Sequence, residues 1–272
     1  MKKTSISLYV FQVFKCLIYV LLTANIFFFY QEESLAVKST FSQGISITDI
    51  IQGFAATLDT AAWVMLLFLF ELNTSEYLKR LNSLNNAFIA KNFIRIFSYG
   101  LICYAFFGYL LKYILLINIE PFIIDDVCSL ADQGYYLIDK LDEYPLMTAS
   151  NCLALSNNQL FVLSGQAILG TKSDWQAIQN LGLVDIINSG TWILVVMIIE
   201  LEVLFGSKLV NTRLRFLNLK ILKTILYLIL FSAAAFWGFK GDFLDFWDAF
   251  LWLVAFFFIE LNLLKIGQPQ TN

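Results

Sequence analysis

The sequence predicts an all-α membrane protein of about six transmembrane helices, arranged as three repeated helix hairpins. Three observations carry this. The 272 residues are 59% hydrophobic and only 14% charged, with a mean hydropathy of +0.71, whereas a soluble domain carries roughly 25% charged residues. Six apolar stretches approach the roughly 20 residues needed to cross a hydrocarbon core. The second, fourth and sixth of these share one residue pattern.

The predicted spans cover residues 8–30, 50–72, 94–117, 184–206, 221–239 and 246–265. The first follows Lys2 and Lys3 and runs apolar to Tyr30, interrupted by Lys15. It is too long for a signal peptide and no small-residue cleavage motif ends it, so an uncleaved span is expected. Spans two and three are joined by a connector bearing Lys79 and Arg80, and span three opens near Lys91 and Arg95. The connector around spans four and five holds Lys208, Arg213, Arg215, Lys220 and Lys223, and Lys265 closes span six. Twelve of the eighteen bases therefore fall on one side. By the positive-inside rule that side is cytoplasmic, which puts both termini inside and the protein in the cell inner membrane. Glu71, Glu76, Glu200, Glu202 and Glu260 are the acids of that side, and no Asp is among them.

This topology divides the chain into spans one to three (1–117), an extracytoplasmic loop subdomain (118–183) and spans four to six (184–272). The loop holds Glu120, Asp125, Asp126, Asp132, Asp139, Asp142, Glu143 and Asp174. Its apolar runs Tyr135–Ile138 and Leu160–Leu163 suit a small folded unit, and Ser173-Asp174 before Trp175 reads as a helix N-cap. Cys128 and Cys152 both fall in this loop, in the oxidising compartment, and are expected to form a disulfide. Cys16 and Cys103 lie in apolar spans and are read as packing residues.

The repeated pattern is [Asp/Asn]-x3-Trp-x7-Glu-Leu. It occurs as Asp59, Trp63 and Glu71, as Asn188, Trp192 and Glu200, and as Asp248, Trp252 and Glu260. All three copies lie on helices running outward to inward, as three repeated hairpins require. At 1.5 Å per residue the outer polar group and the Glu stand roughly 18 Å apart on one broad helix face. Converging faces would form a ring of three Glu beneath a ring of two Asp and one Asn.

Ionisable groups in a span cost on the order of 2.5–3.5 kcal/mol and usually face a bundle interior or watery cavity. Acidic rings suit a cation or proton path, so Asp59, Glu71, Asn188, Glu200, Asp248 and Glu260 are transport-path candidates, with Lys15 as counter-charge. The bland reading pairs each Glu with Lys79, Lys208 or Lys265. Trp63, Trp192 and Trp252 are read as core packing.

Several functions are excluded or disfavoured. The chain has no histidine, which removes HExxH zinc sites, haem ligation by imidazole and Ser–His or Cys–His catalysis. Neither a nucleotide-binding motif nor an EF-hand loop is present. Net charge is −3 without a basic run, so nucleic acid is not a partner. The sequence thus implies no catalytic residue, no metal centre and no cofactor. None of the three prolines falls in a predicted span, so straight helices are expected rather than the broken helices of many transporters. The leading reading is a channel or carrier for a small cation or proton in the lipid bilayer. The alternative is a non-enzymatic scaffold or assembly subunit, with a membrane-protein partner or a second copy docked through the extracytoplasmic loop. A weaker third reading is an enzyme acting on a lipid through carboxylates alone.

Overall fold

The computed structural model describes residues 2–40, 47–74, 85–139, 141, 143–156, 158–209 and 213–266. Backbone alone is described at 2–9, 39, 47–49, 73–74, 85–88, 202–209, 213–218 and 258–266. The chain is mostly helical. Among the described residues seven α-helices run as α1 (Lys2–Thr40), α2 (Ile47–Gly53), α3 (Ala55–Thr74), α4 (Asn85–Ile117), α5 (Lys172–Leu209), α6 (Arg213–Lys240) and α7 (Phe243–Ile266). Five stretches among the described residues are long and apolar enough to cross a membrane: Val10–Lys38, Ala55–Leu72, Ile89–Ile117, Lys172–Leu201 and Leu219–Lys240.

The long helices close into a ring. α1 packs against α3, α3 against α4, α4 against α5, α5 against α6, α6 against α7, and α7 returns to α1. Large apolar side chains cover the outside, among them Val20 on α1, Phe107 on α4 and Phe231 on α6. Water would be a poor solvent for such a surface and lipid a good one. Cys16 and Cys103 are on this exposed side, which corrects their reading as interior packing residues.

The expectation of an all-α chain is also corrected. Between α4 and α5 lies a four-stranded sheet, formed by β1 (Ile119–Phe122), β2 (Tyr136–Leu137), β3 (Leu160–Leu163) and β4 (Ile168–Thr171). Their order is β1-β3-β4-β2; β1–β3 and β3–β4 are antiparallel and β2–β4 parallel. Strands of two to four residues leave too little alternation for a period-two signal.

One sheet cluster gathers Val127, Leu137, Met147, Cys152, Leu155, Leu160 and Leu169. A second joins Ile138, Leu163 and Ile168 to Leu116 of α4 and to Trp175 and Ile178 of α5. Trp175 is fully buried and donates its indole N–H to the Phe161 carbonyl at 3.1 Å. Gln179 donates to the Leu116 carbonyl at 3.0 Å, answering an orphan carbonyl at the end of α4. The subdomain is thereby anchored to both helices.

The start of α5 also differs from expectation. Its cap is Thr171, not Ser173-Asp174. Asp174 Oδ2 accepts from the Thr171 N–H at 2.9 Å, while Thr171 Oγ1 accepts from the Asp174 N–H at 3.3 Å. This reciprocal arrangement is a capping box with Asp in the Glu position, and it starts the helix at Lys172, just ahead of Ser173-Asp174.

Cys128 and Cys152 form the expected disulfide across 24 positions. Replacing Cys128 with Ser should lower the stability of the subdomain by about 2–4 kcal/mol. Urea unfolding, followed by the accessibility of an added thiol probe, measures this; an unchanged midpoint would mean that the bond adds no constraint.

The expectation of straight helices fails in one place. Predicted span two divides at Phe54 into α2 and α3. The amides of Ala56 and Thr57 turn away from the helix ladder to the Glu33 carboxylate of α1, at 2.8 and 3.0 Å, and Thr57 Oγ1 adds a bond at 2.6 Å. A side chain inserted into the ladder is one of the few causes of a helix break. A carboxylate at the N-terminus of α3 also meets the positive end of its dipole. Gly108 of α4 is required beside the break, because a Cβ there would stand 2.5 Å from the Ile51 carbonyl oxygen.

Candidate functional site

The three tryptophans of the repeated pattern meet inside the ring. Ring centroids of Trp63 and Trp192 are 6.4 Å apart, and those of Trp63 and Trp252 are 6.3 Å apart. Phe256 of α7 completes the cluster, 4.5 Å from Trp192. All four are buried, as are Leu22 and Val195 beside them. These rings form an aromatic layer that joins α3, α5 and α7.

Above the layer, toward the sheet, is a cavity of about 110 Å³. That is room for several waters. Trp63, Trp192, Trp252 and Phe256 line it, with Leu163 and Ile168 of the sheet at the other end. Its walls carry Asp59, Asn188 and Asp248 from the repeated pattern, together with Glu32, Glu33, Asp185 and Asp245. Against these six acids stands Lys112 of α4, whose charge reaches Glu33. The structure therefore brings together the three outer polar residues of the pattern and adds four acids, Tyr109 and Lys112.

The acids are held in different ways. Glu33 is engaged by the α3 amides. Asp248 Oδ1 accepts from Asn25 Nδ2 at 2.8 Å, joining α7 to α1. Asp59 lies among Trp63, Tyr109 and Ser189 and within Coulombic reach of Asp248. Its Oδ1 is buried without a hydrogen-bond partner, and so is Asn188 Oδ1. Tyr109 is within reach of Glu33, Asp59, Asp185 and Asp245 together. Asp245 in turn neighbours Asp185, Asp242 and Glu32.

Asp242 shapes the α6–α7 turn twice. Its N–H bonds to the Trp237 carbonyl at 3.1 Å behind Gly241, whose φ of +89° suits glycine. Its Oδ1 then accepts from the Asp245 N–H at 3.2 Å, capping α7. An open groove lies between α1, the sheet subdomain and this turn, and it shares Glu32, Ala36 and Tyr144 with the cavity.

Below the aromatic layer Glu71 and Glu200 face neighbouring helices. Lys15 of α1 pairs with Glu71 of α3 at 2.6 Å, and Tyr19 reaches the same carboxylate at 3.4 Å. Tyr99 of α4 donates to Glu200 of α5 at 2.7 Å. The side chain of Glu260 lies outside the described residues, as do Glu76, Lys79 and Arg80 and the side chains of Lys208, Arg213, Arg215 and Lys265.

Glu32, Glu33 and Asp245 are hidden in the sequence because charges beside an apolar run read as its boundary. Asp185 carried a usable signal, standing three residues before Asn188 on one helix face. Among the described residues no three acidic or cysteine side chains come close enough together to hold a metal ion. Comparison with protein-family models, with curated proteins and with solved structures gives no match.

Proposed function

We propose that this protein conducts or carries a small cation or proton across a membrane. The observation that supports this best is the cavity with six acids and one lysine among its lining residues, floored by tryptophan. Carboxylates in a low-dielectric bundle are costly, and an excess of one sign draws in and concentrates the opposite charge. Asp59, Asn188 and Asp248 are the outer station of the path. Lys15, Glu71, Glu200 and Glu260 are the inner one, beyond the aromatic layer.

The finer architecture belongs to the same reading. α7 is the sixth span, and the six are three repeated hairpins: α1 with α2–α3, α4 with α5, and α6 with α7. The alternate placement of α3, α5 and α7 around the ring supports this. Residues 118–183 form the extracytoplasmic subdomain between the two three-span units 1–117 and 184–272. Both termini are cytoplasmic, in the cell inner membrane, on the strength of the basic connectors.

Flux into proteoliposomes tests the function. Asp59→Asn together with Asp248→Asn should lower proton- or cation-driven flux at least tenfold while the protein still elutes as a folded species. Unchanged flux would refute the outer station. A second reading, a scaffold docking a partner or a second copy through the subdomain, is favoured by Ile123 and Leu153, which are 94% and 70% exposed on it. A partner retained in fixed stoichiometry, and lost with Ile123→Ser, supports that reading when no flux is found.

A further inference from the structure

The geometry points to a small primary ammonium bearing a hydrogen-bond acceptor such as a hydroxyl, rather than a bare metal ion, as the cargo of the outer cavity. This rests on the reading of the cavity as a cation site.

A hard metal ion needs several oxygens converging at about 2.0–2.6 Å. The acids here are instead dispersed over four helices, with Glu32 and Glu33 on α1, Asp59 on α3, Asp185 on α5, and Asp245 and Asp248 on α7. Among the described residues no three of them form a metal-sized set. Dispersed acceptors suit a larger cation with several N–H donors.

The floor points the same way. Trp63, Trp192 and Trp252 line the cavity, and their rings can shelter the carbon atoms of an organic cation. Three buried polar atoms without a hydrogen-bond partner then describe the ligand. Asp59 Oδ1 and Asn188 Oδ1 are buried acceptors without partners, suited to ammonium N–H groups. Trp237, only 3% exposed, lines the same cavity with its indole N–H unpartnered. Indole N–H is a donor only, so it requires an acceptor on the ligand. The open groove that shares Glu32 with the cavity gives a cation an acidic approach.

The test uses the full chain in nanodiscs, with intrinsic tryptophan fluorescence as readout and protonated ethanolamine as probe. Ethylammonium, tetramethylammonium and potassium serve as comparisons at constant ionic strength. Saturable quenching by ethanolamine is expected, at least threefold tighter than by ethylammonium, which lacks the hydroxyl. It should be at least tenfold tighter than by tetramethylammonium, which lacks N–H donors. Asp59→Asn should weaken it at least tenfold; should that variant not fold, Asn188→Ala should weaken it at least threefold.

Equal response to tetramethylammonium or to ethylammonium would overturn the ligand class. So would potassium binding without ethanolamine binding, although the cation reading would then stand. Flux of protons with no binding of any probe overturns the inference and leaves a proton path. Absence of both binding and flux overturns the cation reading itself.

Discussion

Lys15→Met should destabilise the bundle by about 3 kcal/mol, the low end of what stranding one member of a buried ion pair costs. The Lys15 and Glu71 side chains are 16% and 28% exposed, and the ammonium that neutralises Glu71 lies on a different helix. Removing it deprives the half-buried Glu71 carboxylate of its ammonium partner, at a position where a charge is expensive. Glu71→Gln in the same chain removes the stranded charge, so the double variant should regain at least half of the loss. Denaturation in mixed micelles across the four-member cycle measures the coupling. A loss under 0.5 kcal/mol for Lys15→Met would assign the pair no structural role.

The second large effect concerns the aromatic layer. Trp63 contacts Trp192, Trp252 and Phe256 at once, so Trp63→Ala should lower stability by roughly 3–5 kcal/mol through lost burial and the void left behind. Trp63→Phe should cost less than half as much, since a ring still fills most of the space. The same truncation should open a way past the layer. Proton leak through proteoliposomes should therefore rise several-fold in Trp63→Ala and hardly in Trp63→Phe. Equal leak in all three forms would mean that the layer is not the barrier between the two halves.

Much of the fold was legible because lipid imposes a coarse rule, a run of apolar residues for every crossing. The positions of the helices followed from that rule, as did the disulfide from two cysteines in one polar loop. The Trp63, Trp192 and Trp252 spacing marked a face common to three helices, and those faces meet in the structure. Ends of helices were less legible. α1 continues through Gln31-Glu32-Glu33 to Thr40, because its acids face a cavity and the α3 amides instead of water. The break at Phe54 depends on Glu33, a residue about twenty positions away on another helix, and no local propensity reports it. Gly53 alone was a weak hint. The sheet was hidden for a different reason: its strands are short, and their order joins β1 to β3 across an intervening strand.

The closed ring has a consequence for how the protein is made. Asn25 and Asp248 are 223 positions apart, whereas Lys15 and Glu71 are separated by only 56. At roughly 5–20 residues per second of synthesis, α1 can dock on α3 within seconds. Its other flank, with Asn25 at it, then waits on the order of ten to forty seconds for α7. During that interval a polar amide faces lipid, lodged in an open arc of helices. Biogenesis of this ring thus contains a built-in pause, and any insertase or chaperone that attends it has that flank of α1 to shield.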